Sequence, residues 1–366
     1  MLKLTSAGVG GLAIAGISAR VALAQGATEE ADPEADPEAD PEAEESTLEP
    51  IEGTPAGSAG TLTVYSGRSE TFLGPLVPRI EALTGVDLEM RYGGTAELAA
   101  QILEEGDNSP AGLYIAQDAG ALGELADDGR LMELPQDILD LVDPRFRSDK
   151  GQWVGLSGRA RVAVYNTDAL SEDDLPESVL DFTDPKWSEK LGWAPENGSF
   201  QSFVTALRII EGEDAAREWL EGILANGPEV FESNGAITRA VAAGEIEVGL
   251  VNHYYLYEVE AEEGEQPIAN YFFPGGDPGS LINVAGGGIL TGSDQEEQAL
   301  AVLRAFLSED AQKYFASQTF EYPLIEGVEP AEGLKPLAEI ESPEIDLSDL
   351  SDLQGTLELL AEVGAL

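Results

Sequence analysis

The chain has 366 residues, with 70 acidic against 19 basic side chains, one histidine, no cysteine and a formal net charge of −51. At 43% hydrophobic it can build an ordinary core. The charge speaks against nucleic acid as a partner, since phosphates need basic side chains. The missing cysteines rule out thiol chemistry, disulfides and cysteine-held metals, and one histidine cannot form a histidine cage.

The acidity has two sources. Residues 29–52 carry twelve acids and no base, and residues 61–366 carry 58 acids against 17 bases, a net of −41. Such an excess repels itself at low ionic strength and is tolerated when screened, so a halophilic surface in salty surroundings is expected.

Residues 1–24 read as an export signal: Lys3, an apolar run of small residues, then Ala22-Leu23-Ala24 as the cleavage site before Gln25. Arg20 interrupts the run, which favours cleavage over a retained anchor. Residues 25–60 form an acidic, Pro-rich linker with Ala-Asp-Pro-Glu units from Ala31 to Ala43. Proline at every fourth residue forbids a helix, and like charges extend the chain.

From residue 61 strands and helices alternate, which predicts an α/β architecture. Leu62–Tyr65 is a strand, and Val86, Leu88, Met90 and Tyr92 alternate with polar residues in a second. A helix is expected from Thr95 to Gly106, and buried strands at Leu113–Ile115, Val162–Tyr165 and Ile246–Val251. Trp219, Leu220, Ile223 and Leu224 mark a helical stripe, and a helix pair follows over 295–320 with Ser308 capping its second member. Gly286-Gly287-Gly288 reads as a close-packed strand or turn. Leu347, Leu350, Leu353, Leu357 and Leu360 read as a stripe docked on the first lobe.

Three times a strand runs into a short polar segment that opens a helix: at Asn197-Gly198-Ser199, at Ser233-Asn234-Gly235 and at Asn252-His253. Helix N-termini offer free N–H groups and a positive dipole end, which suits an anion. Tyr254 and Tyr255 follow the third segment. A trivalent hard cation can displace phenolic protons well below their normal pKa, and two phenolates with an anion offset most of its charge.

Residues 61–366 resemble the ferric-iron-binding proteins of bacterial ABC importers, the bacterial transferrins. The likeness lies in Thr63-Val64-Tyr65-Ser66-Gly67, Ser109-Pro110-Ala111, Leu156–Val162, Asn252-His253-Tyr254-Tyr255, Asp277-Pro278-Gly279 and Glu321-Tyr322-Pro323-Leu324. It implies a two-lobed type II periplasmic-binding-protein fold hinged on crossing strands, with lobe 1 at about 61–160 plus 269–366 and lobe 2 at about 161–268. It implies a monomeric, exported binding protein, not an enzyme, that delivers its cargo to an ABC permease in the membrane. The family's adjacent tyrosines, which bind Fe(III), match Tyr254 and Tyr255. Its synergistic-anion pocket, for phosphate, carbonate or citrate, matches Gln117, Asn197, Gly198, Ser199, Asn234 and Asn252.

The chain departs from that pattern at three places. The family's histidine ligand falls on Ser69, its carboxylate ligand on Ala116, and a subgroup's third tyrosine near Ser199. The remaining coordination positions are left to a chelating anion, water, Glu70 or Asp118, with Arg68 as a further partner of the anion. A receptor for an oxyanion or an organic ferric chelate, without a tyrosine–metal bond, is the alternative on the same fold. A secreted carboxylate hydrolase lacks any nucleophile motif, HExxH or P-loop to support it.

Overall fold

The computed structural model describes residues 60–366; the expected export signal and the linker up to residue 59 lie outside the described residues. Among the described residues there are nine strands: β1 (Gly60–Ser66), β2 (Val86–Tyr92), β3 (Leu113–Ala116), β4 (Val154–Asn166), β5 (Leu191–Trp193), β6 (Glu229–Val230), β7 (Val248–Asn252), β8 (Ile268–Tyr271) and β9 (Ile282–Ile289). The first helices are α1 (Glu70–Leu73), α2 (Val77–Thr84), α3 (Thr95–Glu105), α4 (Ala119–Asp127) and α5 (Gln136–Leu139). They are followed by α6 (Gly198–Glu211), α7 (Glu213–Ala225), α8 (Asn234–Ala243) and α9 (Tyr254–Glu263). The last three are α10 (Glu296–Phe306), α11 (Glu309–Gln318) and α12 (Leu353–Val363). None of these is long and apolar enough to cross a membrane.

Local signals set most boundaries. Gly106, at φ +59°, ends α3 where an L side chain would be strained. Ser308 caps α11 by accepting from the Ala311 N–H, and Asn197 caps α6 by accepting from Ser199.

The sheet order is β2-β1-β3-β9-β4-β7-β5-β6, with β8 also on β4. Strand β4 is its spine. Val154–Ala160 pair antiparallel with β9, Arg161–Tyr165 with β7 and Ala163–Asn166 with β8. A first core gathers Leu62, Val64, Ile115, Val284 and Phe306; a second gathers Trp193, Phe200, Phe203, Trp219 and Val248. The expected α/β, two-lobed architecture is therefore present, with its halves joined through β4 and the β8–β9 segment.

Three local expectations need correction. The strand expected at 162–165 is the end of a thirteen-residue strand that is buried throughout. Burial on both faces removes the alternation that marks a half-exposed strand. The strand expected at 246–251 starts at Val248, because α8 ends on left-handed Gly244 and residues 245–247 are spent turning back to Lys190. The C-terminal leucines do not dock on one lobe. Leu347 and Leu350 bury in the first core, whereas Leu360, with Leu359, buries in the second. Arg208 of α6 draws α12 across by donating to Asp352 Oδ2 and Thr356 Oγ1, both at 2.9 Å.

The glycine run is strand: it lies in β9, where a Cβ on Gly286 would sit 2.6 Å from Leu122 Cδ1. Helix α4 meets the C-terminal segment backbone to backbone. A Cβ on Gly123 would collide with the Ser348 carbonyl, and one on Gly120 with that of Leu350. Alanine would raise helix propensity by about 1 kcal/mol, but rigid backbone cannot yield as a flexible side chain does. We expect Gly123→Ala to lose about 1–2 kcal/mol net in chemical denaturation, the overpacking cost outweighing propensity.

Candidate functional site

Ligands of open α/β sheets bind beyond the carboxyl ends of the parallel strands. In the first half, β1 and β3 are parallel and end at Ser66 and Ala116, followed by Gly67–Ser69 and Gln117–Asp118. In the second half, β5, β6 and β7 are parallel and end beside the starts of α6, α8 and α9. Between the two sets of strand ends lies a cavity of about 470 Å³. Ser69, Gln117, Asp118, Asn197, Gly198, Ser199, Tyr254 and Tyr255 all line it, with Phe72, Thr95, Leu350 and Leu353.

The tyrosine rings lie 4.5 Å apart, tilted by 35°. Tyr254 is 2% exposed, and burial pushes its phenol well above the usual value, with Tyr255 adding to the shift and Arg159 opposing it. Without a cation the Tyr254 phenol is therefore protonated at neutral pH.

Asn197, Ser199 and Asn234 form one network. Ser199 donates to Asn197 Oδ1 through N (3.0 Å) and Oγ (2.6 Å), and Asn234 Nδ2 donates to Ser199 Oγ at 3.0 Å. Asn234 is 1% exposed, its Oδ1 without a partner, and it lies behind the cavity wall rather than in it. Asn252 is likewise buried, with its amide 3.5 Å from the Tyr254 hydroxyl.

The supplementary positions divide. Asp118 caps α4 by accepting from the Gly120 N–H; burial raises its pKa and Arg159 counters it. Glu70 is exposed on α1 and does not line the cavity. Ala116 is fully buried in β3. Arg68 is corrected outright: it is neither on the surface nor free for an anion, because both terminal nitrogens donate to Glu321 at 2.7 Å in a buried pair. The two residues lie 253 positions apart, beyond the reach of any local pattern.

Arg159 and Arg161 were not singled out as site residues from the sequence, although the signal was there: two arginines at spacing two inside an apolar strand share one face. Both are buried, and among the described residues neither forms an ion pair. Burial lowers the pKa of Arg161 to about 9, partly offset by the two phenols, and lowers that of Arg159. Arg161 reaches Ser199 Oγ at 3.5 Å and donates to the Leu250 carbonyl at 2.8 Å. A strongly acidic protein thus keeps two nearly uncompensated cations behind its tyrosines, an arrangement suited to negative charge. Among the described residues no group of three or more His, Asp or Glu gathers as a metal cluster, so the phenols are the donors of note.

Residues 108–343 match the sequence profile of the bacterial extracellular solute-binding proteins. The Fe(3+)-binding periplasmic protein of Serratia marcescens is 32% identical over 320 residues, covering 86% of this chain and 94% of that one. The major ferric iron-binding protein of Neisseria gonorrhoeae is 31% identical, covering 83% and 92%. Among solved structures, iron-bound HitA from Pseudomonas aeruginosa superposes with a TM-score of 0.78 at 35% identity, covering 83% of this chain and 99% of that one. FutA from Trichodesmium, in complex with iron and citrate, gives 0.73 at 28%, with the same coverage. Fold, cleft and sequence agree, and the chain belongs to the bacterial extracellular solute-binding protein family, whose members bind and carry solutes and are not enzymes.

Proposed function

We propose that the protein captures Fe(III) between its lobes, with Tyr254 and Tyr255 as metal ligands and a small anion held by Gln117, Asn197, Gly198 and Ser199, which the buried Asn234 and Asn252 support from behind the cavity wall. It would act outside the cytoplasm and hand its cargo to an ABC permease. The observation that carries the reading is the tyrosine pair, Tyr254 buried and Tyr255 half-buried, facing the inter-lobe cavity and backed by Arg159 and Arg161. Relatives named for ferric iron support it, and the citrate in the FutA complex favours an anion partner. Titration of metal-free protein with ferric nitrilotriacetate, in excess phosphate, carbonate or citrate, should show one iron taken up per chain. No uptake with any anion would overturn the reading.

Ser69 and Ala116 offer no strong metal donor, and the cavity exceeds what a bare ion needs. These features favour a second reading, a ferric chelate bound whole. Calorimetry with citrate before iron separates the two: strong binding of iron-free citrate favours the chelate receptor.

Because Tyr254 is protonated without metal, tyrosinate ligation must release protons. The buried Tyr254 phenol giving up its proton makes affinity rise by at least about 10-fold per pH unit. Competition titrations between pH 6 and 8, corrected for the competing chelator, should show that slope; a flat profile would exclude phenolate ligation.

The acidic surface is read as an adaptation to salt. The melting temperature of the metal-free protein should rise as sodium chloride is added from 0.1 M to about 1 M, where the Debye length falls to about 3 Å. Equal melting across that range would contradict it.

A further inference from the structure

His253, the chain's only histidine, is fully buried between the end of β7 and the tyrosine pair. Its backbone N–H donates to the Ala160 carbonyl at 3.0 Å, and the Ala160 N–H donates to its Nδ1 at 3.1 Å. With Nδ1 accepting, the ring proton belongs on Nε2, which donates to the Phe320 carbonyl at 2.9 Å. Asn270 of β8 donates to the His253 carbonyl at 2.8 Å. The ring stacks on Tyr322 at 4.5 Å and meets Tyr254 edge-on at 5.6 Å.

These partners come from distinct parts of the fold. Ala160 is the last β4 residue paired with β9, and its neighbour Arg161 is the first paired with β7, opposite Asn252. Strand β8 is the other strand on this end of β4. Phe320 and Tyr322 belong to the first half, where Tyr322 bridges to Gly158. Phe320 holds φ at +52°, a conformation uncommon for an aromatic residue, so its carbonyl is aimed at the imidazole against local preference. An apolar filler of equal size would occupy the space and fix none of these groups.

We propose that His253 is a positioning residue that locks the Tyr254–Tyr255 pair to the point where β4 passes from one lobe to the other. Lobe closure and phenol placement then become one motion. The iron part of this inference rests on the function proposed above; the lobe-coupling part does not.

Three variants separate its roles. His253→Asn keeps an acceptor near the Nδ1 place, His253→Gln keeps a donor near the Nε2 place, and His253→Phe keeps a ring with neither. The Phe variant should lose about 10–100-fold in ferric affinity, the range for residues that orient ligands, with a shifted visible band. The Asn and Gln variants should recover part of both. Ile223→Val, a core change in α7, should lower stability and leave affinity unchanged. Wild-type affinity and band in His253→Phe would overturn the proposal.

A second measurement needs no iron. Spin labels at Glu104→Cys and Glu221→Cys, both exposed and in a chain without cysteine, report the distance between lobes. His253→Phe should broaden that distribution in the metal-free protein, and an unchanged distribution would overturn the coupling. If the wild type takes up no iron, the tyrosine reading fails and the label distances alone decide the role of His253.

Discussion

Tyr254→Phe is expected to weaken ferric binding by more than about 100-fold, since loss of mere outer-shell partners already costs 10–100-fold. The side chain is buried and packed on both sides, by Tyr255 at 4.5 Å and by Phe72 at 6.4 Å. Phenylalanine preserves these contacts, so the folded state should persist and the loss should report the missing oxygen. Tyr255→Phe should behave alike, and the double variant should bind no iron. Affinity by chelator competition, with melting of the metal-free protein as control, checks this. A single variant with unchanged affinity would remove that phenol from the metal.

Glu321→Gln should produce the largest loss of stability. Glu321 is fully buried, accepts both terminal nitrogens of Arg68 at 2.7 Å, and accepts from Thr319 Oγ1 at 2.9 Å. Burial alone would lower the pKa of Arg68, yet Glu321, with smaller contributions from Tyr254 and Tyr255, leaves it raised. Removing the carboxylate strands a buried guanidinium, which costs about 3–5 kcal/mol. The damage should reach the cleft, because Arg68 lies over the Phe72 ring at 4.7 Å and Phe72 packs edge-on against Tyr254. Replacing both partners, Arg68→Met with Glu321→Leu, should recover most of the stability, since an apolar pair of similar volume avoids the desolvation of two charges. Urea denaturation of the two variants beside the wild type tests this; a double variant as unstable as Glu321→Gln would contradict it.

The contrast between these residues shows what was legible in the sequence. The tyrosines are adjacent, follow a strand and open a helix, so their place at the cleft could be read locally. The same holds for Asn197 and Ser199, whose capping pattern put them at a helix start that the fold turns toward the cleft. Arg68 failed because its partner lies in another part of the chain, and no period or spacing announces a pair that only tertiary packing creates. Glu70 failed more simply: proximity in sequence to a site loop does not fix which way a side chain on a short helix faces. The leucines of the C-terminal segment revealed an apolar face but not what would cover it. The break between their two cores is set by Arg208, a polar residue on a distant helix. Strand β4 hid because central strands carry no alternation and its glycines and arginines mask the apolar run.

The central claim is that both phenols of the tyrosine pair coordinate ferric iron. Resonance Raman spectra of the iron-loaded protein, excited in its visible band, test it most directly. The account predicts enhanced tyrosinate ring modes that weaken in Tyr254→Phe and in Tyr255→Phe and vanish in the double variant. An iron-loaded protein without a visible band, or with ring modes indifferent to both substitutions, would contradict it.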